Sequence, residues 1–274
     1  MKKEIDYVKS NYMMWNRTAA VFKKSGFEEA LLKVKDKNFK IFDDVENRIF
    51  TDLINVEGKN IIQIGCNSGL ELIYLKKTGA NRCVGVDISD KFIDYAKRLS
   101  NASMNYVDFI CTDIFNISED FYNKFDLVYI SVGVLGWLPD IRTLFEIINK
   151  LLVYQGEVFI YEQHPILGMF NPKPPHQMDA SYFQVIPFED DIMPEYIDKL
   201  GEHKVLSYWF PYKVSDIISA CIKNKLQISH FEEYSKDISE TYKELEKRNL
   251  GLPLSFTLIA NKSLGRKKTT ANNG

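Results

Sequence analysis

The sequence predicts an α/β protein built on a doubly wound, mostly parallel sheet, and three observations carry that expectation. From residue 60 onward, short apolar runs alternate with amphipathic stretches at helical spacing, the rhythm of β-α-β units with right-handed crossovers. The run Phe125-Asp126-Leu127-Val128-Tyr129-Ile130-Ser131 is almost continuously apolar, as expected of a parallel strand covered on both faces. A first strand, Asn60 to Ile64, runs into the turn Gly65-Cys66-Asn67-Ser68-Gly69-Leu70, and a second strand closes on Val84-Gly85-Val86-Asp87. A turn of small residues that opens a helix, with an acid about twenty residues on, suits a ligand carrying an adenosine. Backbone can approach the ligand at the turn, and the acid accepts hydrogen bonds from ribose hydroxyls.

The elements follow in order. Residues 4–24 read as a helix with Tyr7, Tyr12, Trp15, Ala19 and Phe22 spread over two faces. Residues 43–53 form a second helix, with Val45, Ile49, Phe50 and Leu53 at helical spacing. Strand one spans 60–65, and the helix over 68–77 stops at Gly79. Strand two is 83–87; the next helix, 89–99, is capped by Ser89 and carries Phe92, Ala96 and Leu99. Strand three is 106–111 and strand four 125–131, and a helix over 140–152 leads through Gln155-Gly156 into strand five, 157–162.

Past strand five the rhythm breaks. Residues 165–202 hold Pro165, Pro172, Pro174, Pro175, Pro187 and Pro194 among Phe170, Tyr182, Phe183, Val185 and Ile186. Apolar residues in that density predict an inserted cap rather than a linker. Then come a strand over 204–210, a helix over 214–224, a strand over 226–234, a helix over 237–248 and a last strand over 254–261. The organisation expected is an N-terminal helical lid region (1–57), a core (58–164 and 203–262), the inserted substrate cap (165–202) and a flexible polar tail (263–274). No internal repeat is evident.

The 274 residues are 45% hydrophobic and 13% aromatic, enough for a sizeable core. Lysine plus arginine total 35 against 37 acids, a net charge of −2 that argues against nucleic acid as the main partner. No apolar run nears the ~20 residues that span a bilayer, and no signal-peptide core follows Met1-Lys2-Lys3-Glu4. A cytoplasmic protein with a small-molecule partner, monomeric or homodimeric, is the expectation. Cys66, Cys83, Cys111 and Cys221 form no close pair and read as buried free thiols. Neither they nor the four histidines show metal-ligand spacing, so no metal is expected.

The turn resembles the first motif of the class I S-adenosylmethionine-dependent methyltransferases, a strand followed by Gly-x-Gly-x-Gly, here Gly65-Cys66-Asn67-Ser68-Gly69. Asn67 replaces the middle glycine, and Asn tolerates positive φ better than other residues with a side chain. Gln63 stands where the family usually has an acid. A dinucleotide fingerprint would want glycine at 65, 67 and 70, and the chain misses two of the three, so a nicotinamide oxidoreductase fits less well. The resemblance covers roughly residues 45–262. It implies a Rossmann-like seven-stranded sheet whose last strand is antiparallel and inserted beside its neighbour, with S-adenosyl-L-methionine as cofactor. Val132 to Asp140 and Tyr161-Glu162-Gln163-His164-Pro165 resemble a bacterial branch that acts on small molecules.

Carried residue by residue, the resemblance places Gln63, Gly65, Cys66, Asn67, Gly69 and Leu70 around the cofactor. Asp87, with Ile88 after it, is the ribose acceptor; its bland alternative is a carboxylate at a helix N-terminus. In Thr112-Asp113-Ile114 the acid would receive the adenine amino group, or merely form a turn. Ser131, Val132 and Gly133 end strand four, the edge where open α/β sheets place ligands. This segment lacks the Asn/Asp-Pro-Pro-aromatic signature of enzymes that methylate nucleobase or glutamine amides.

Trp15 would either fold over the cofactor, where an aromatic face attracts a sulfonium, or anchor its helix. Trp137 would line the acceptor pocket or join the core, and Tyr161 is a second candidate for acceptor binding. His164, after strand five, is the candidate general base; the alternative is a hydrogen-bonded histidine at the cap hinge. His176 and His203 stay open, and His230 reads as structural. The function these residues point to is in-line methyl transfer to an oxygen or nitrogen atom of a small molecule. Its rival is a non-catalytic S-adenosylmethionine-binding partner or regulatory protein.

Overall fold

The amino-terminal third builds a helical layer before any strand appears. In the computed structural model, which describes residues 6–190 and 205–263, helix α1 (Tyr7–Ser25) starts where the Asp6 carboxylate accepts from Lys9 N. It ends at Gly26, from which α2 (Phe27–Lys35) departs. No sequence signal had indicated α2. It buries Phe27, Ala30 and Val34 against Phe92, Tyr95 and Leu99. The helix expected over 43–53 is α3 (Asp44–Arg48), opened by an Asp43/Glu46 capping box and relaxed into a π-turn over Ile49–Leu53.

The central strands are β1 (Asn60–Ile64), β2 (Arg82–Asp87), β3 (Asp108–Cys111), β4 (Phe125–Ile130) and β5 (Leu152–Gln163), with β8 (Leu226–Tyr234) and β9 (Ser255–Lys262) returning at the carboxyl end. They form one seven-stranded sheet in the order β3-β2-β1-β4-β5-β9-β8. Strands β1 to β5 pair in parallel, and β9 runs antiparallel to both β5 and β8. The resemblance implied this inserted antiparallel strand. Strand β5 starts earlier than expected because Leu152 already pairs with Phe125; a register shift follows, with Gln155 at φ +62°.

Alternate residues of each strand feed two cores. Ile62, Ile64, Val128, Ile130, Val158 and Ile160 pack with α6 (Ile141–Leu151) and α7 (Val214–Lys223). On the other face, Ile61, Leu127, Tyr129, Phe159 and Tyr161 pack with α3, α4 (Leu70–Lys77) and α5 (Asp90–Ser103). Residues 127–130 of β4 are completely buried, which explains their unbroken apolar run.

The cap departs from expectation. Strand β7 (Ser207–Trp209) does not join the main sheet but pairs antiparallel with β6 (Phe188–Asp190). Phe170 is buried against Tyr242 and Leu245, and the Tyr182 hydroxyl accepts from Val214 N. Phe183, Val185 and Ile186 are instead exposed, so the apolar density of the segment overstated its burial. The helix expected over 237–248 shrinks to α8 (Lys243–Lys247), because the buried Asp237 carboxylate draws Ser239 N and Tyr242 N into a turn. Cys66, Cys83 and Cys221 are buried, whereas Cys111 is exposed. The start of the first predicted helix, residues 191–202 of the cap, His203 with the first residue of the strand expected over 204–210, and the tail from 264 lie outside the described residues. Among those described, no helix is long and apolar enough to cross a membrane, and no group of metal-ligating side chains assembles.

Candidate active site

The glycine turn is built by alternating left-handed backbone. Gly65, Asn67 and Gly69 take φ +69°, +49° and +73°, so the middle position is one that Asn can occupy. Gly65 N and Cys66 N both donate to Val86 O, which clips the turn to the end of β2. A Cβ on Gly65 would lie 2.6 Å from Val134 Cγ2, and one on Gly69 would lie 2.4 Å from Phe109 Cζ. Both glycines are therefore required by packing as well as by φ.

Asp87 stands against this turn. Asn67 N donates to its Oδ2 at 2.8 Å and Ser89 N to its Oδ1 at 2.8 Å. Burial pushes its carboxyl above the usual range, and these backbone donors pull the other way. Each carboxylate oxygen retains a lone pair beyond its backbone partner. Asp113 is both a turn former and a cleft residue. It accepts from Phe115 N at 3.0 Å, and burial raises its carboxyl too.

These residues border a cleft of about 310 Å³ at the carboxyl edge of the sheet. Gly65, Cys66, Asn67 and Leu70 line it from the turn, and Asp87, Ile88, Thr112, Asp113 and Ile114 from the ends of β2 and β3. Ser131, Val132 and Gly133 line it from the end of β4, and Trp15 and Trp137 close one side. The two indoles meet edge-to-face at 5.5 Å, and Trp137 meets Trp209 of β7 at 5.1 Å. Both tryptophans thus pack against neighbouring rings and border the cleft as well. Helix α1 is latched beside them: Asn16 Nδ2 donates to Asp90 Oδ1 at 2.6 Å, and Ser89 Oγ donates to Asn16 Oδ1. Asn11, also on the cleft, donates to Trp137 O and Tyr208 O and accepts from Tyr208 N.

Sequence reasoning missed Glu71, which lines the cleft from the first turn of α4. Gln63 Nε2 and Ser131 Oγ both donate to its Oε2. Burial raises its carboxyl, and those two donors oppose the rise. The available signal was an acid in an otherwise apolar helical turn, Leu70-Glu71-Leu72-Ile73, directly after the motif. A second buried acid, Glu46, lies behind it and accepts from the Tyr129 hydroxyl. Burial, with the Glu71 charge second, pushes Glu46 up to about 8.

Four expectations need correction. Gln63 does not line the cleft; it is fully buried beneath it, its Oε1 without a hydrogen-bond partner among the described residues. Gly69 is also set back, filled over by Phe109. Tyr161 points into the α3 face, where its hydroxyl donates to Asp43 Oδ2 at 2.9 Å. His164 is likewise no part of the cleft wall. Its Nδ1 accepts from Ile166 N at the start of a 3₁₀ turn over Pro165–Met169, and its Nε2 lies 2.8 Å from Glu233 Oε1. Burial lowers its pKa, against the pull of Glu233. Strand alternation and the cap turn send both side chains away from the ligand edge.

The comparisons with known proteins fall on the same segment. Residues 62–160 match the family model of a methyltransferase domain. A ubiquinone biosynthesis O-methyltransferase of Coxiella burnetii is 27% identical over 125 residues, 46% of this chain and 52% of that protein. The chain thus spans about half the length of such curated relatives. Among solved structures, an S-adenosylmethionine dependent methyltransferase from Mesorhizobium loti superposes with a TM-score of 0.56 at 20% identity, covering 78% of this chain and 96% of that one. A geranyl diphosphate C-methyltransferase from Streptomyces coelicolor, in complex with S-adenosyl-L-homocysteine, gives 0.59 at 12% identity, covering 96% and 100%. Motif, strand order and domain match coincide on one segment: residues 62–160 are a methyltransferase domain, set in a sheet with the strand order that the resemblance implied.

Proposed function

We propose that the protein transfers a methyl group from S-adenosylmethionine to an oxygen or nitrogen atom of a small-molecule acceptor. One observation carries the reading: a single cleft joins the carboxylates of Glu71, Asp87 and Asp113 to a side closed by two tryptophans. Asp87 suits the ribose hydroxyls, Asp113 the adenine amino group, and Glu71 the ammonium of the methionine part. Glu71 thereby takes over the charge that Gln63 lacks. When bound, the cofactor supplies a methyl carbon already activated by a sulfonium, so the chain's own task is to orient, enclose and exclude water. Trp15 and Trp137 can do so beside Ser131, Val132 and Gly133. Their ring faces also favour positive charge.

In this reading residues 58–164 and the returning strands hold the cofactor, while α1 and the cap close on the acceptor. The protein would act in the cytoplasm as a monomer or homodimer. Titration calorimetry with S-adenosylmethionine and with NAD tests the first half; selective binding of the former is expected. Incubation with methyl-labelled cofactor and metabolite extracts tests the second. Binding without transfer to any fraction would favour a non-catalytic binding protein, and binding of neither ligand would overturn the reading.

A further inference from the structure

Glu162 is a buried acid that the cleft chemistry does not use. It sits one residue from the end of β5, 3% exposed, in register with Phe256 of β9. Its Oε1 accepts from Gly133 N at 2.6 Å and Gln163 N at 2.8 Å. Its Oε2 accepts from Val134 N at 2.9 Å and Leu135 N at 3.1 Å. Three of the four donors are consecutive amides of the segment that leaves β4. That segment belongs to no strand, and Gly133 sits at φ +83°, so no sheet ladder can satisfy those amides.

The same segment is the wall of the cleft, through Val132, Gly133, Val134 and Trp137. Its opposite side is held by other elements: Trp137 O accepts from Asn11 of α1, and Gly136 O from Phe210 N after β7. Glu162 therefore fastens the wall from the sheet, while α1 and the segment after β7 hold its other side. An apolar side chain in its place would fill the volume and leave three N–H groups, that of buried Leu135 and those of half-buried Gly133 and Val134, without their acceptors.

We propose that Glu162 is a positioning residue that fixes the β4 wall against which the cofactor and the acceptor are held. This rests on the reading of the cleft as the S-adenosylmethionine site. Glu162→Gln keeps the size but turns an N–H donor toward backbone donors. Trp15, Trp137 and Trp209 are all the tryptophans of the chain and meet across this wall, so indole fluorescence reports its order directly. The folded variant is expected to bind S-adenosylhomocysteine about thirtyfold or more weakly by calorimetry, and its indoles to be quenched by acrylamide roughly twice as steeply.

Asp237→Asn is the control, another buried acid that holds backbone amides, but at the turn before α8. It should lower the melting temperature while leaving affinity and quenching unchanged. Wild-type affinity and quenching in Glu162→Gln would overturn the proposal, as would equal losses in Asp237→Asn. Should Glu162→Gln not fold, Glu162→Asp, charged but one methylene short, carries the same comparison. A wild-type protein that binds no S-adenosylhomocysteine would remove the methyltransferase reading, and the quenching comparison would still decide the role of Glu162.

Discussion

The buried Gln63 amide donates to the half-buried Glu71 carboxylate, so the acid that lines the cleft stands on the helix after the glycine turn rather than on the strand before it. The pair makes a prediction that separates the ligand's two ends. Glu71→Gln should weaken S-adenosylmethionine binding by about tenfold to a hundredfold, the loss of one charge-assisted contact. Adenosine, which has no ammonium, should bind the variant as it binds the wild type. Equal losses for both ligands in calorimetry would place Glu71 elsewhere than at the amino group.

Asp87 is held by two backbone amides, and its orientation toward the turn is set before any ligand arrives. Asp87→Ala should weaken S-adenosylmethionine binding by roughly tenfold to a thousandfold with the fold intact. Circular dichroism beside calorimetry checks both parts. Unchanged affinity would remove the ribose assignment.

Gly65 and Gly69 should fail for different reasons. Gly65→Val drives a side chain against Val134 in the cleft wall, and a folded variant should have lost cofactor binding. Gly69→Val meets Phe109 and should show first as instability, a melting temperature lowered by several degrees. A Gly65→Val protein that binds S-adenosylmethionine normally would make the motif coincidental.

Glu46 gives a pH signature. Its folded carboxyl is pushed from an ordinary 4.5 up to about 8, so between these values the folded state holds a proton that the unfolded state has released. The contribution is fully present below pH 4.5 and is lost as pH rises through about 8. Glu46→Gln mimics the protonated form and should be more stable than wild type at pH 8.5, by on the order of 2–4 kcal/mol, with little difference at pH 4.5. Denaturant melts at the two pH values measure it. A difference that is the same at both would show that Glu46 ionises normally.

His164, placed away from the cleft, should be dispensable for turnover. His164→Ala loses the acceptor for Ile166 N and a buried ring, which predicts destabilisation of roughly 1–3 kcal/mol. Once an acceptor is identified, the folded variant should turn over at a rate near wild type. A hundredfold loss in kcat at unchanged cofactor affinity would restore the histidine to catalysis.

The parallel strands β1 to β5, the glycine turn and the acid at the end of β2 were legible along the chain, whereas the place of β7 outside the main sheet was not. The legible features are local, since strand periodicity, positive-φ residues and a fixed spacing along one chain suffice to place Gly65, Asn67 and Asp87 together. Gln63 and Glu71 are only eight positions apart, yet their pairing depends on which face of β1 meets α4, and no propensity records that. The same reason misled the reading of Tyr161 and His164. Their strand ends at the ligand edge, but alternation and the turn after it decide where each side chain points. Glu162, a neighbour of both, shows the converse. Its acceptor atoms are spent on amides nearly thirty residues back, and only the packing of β5 beside β4 brought them within reach.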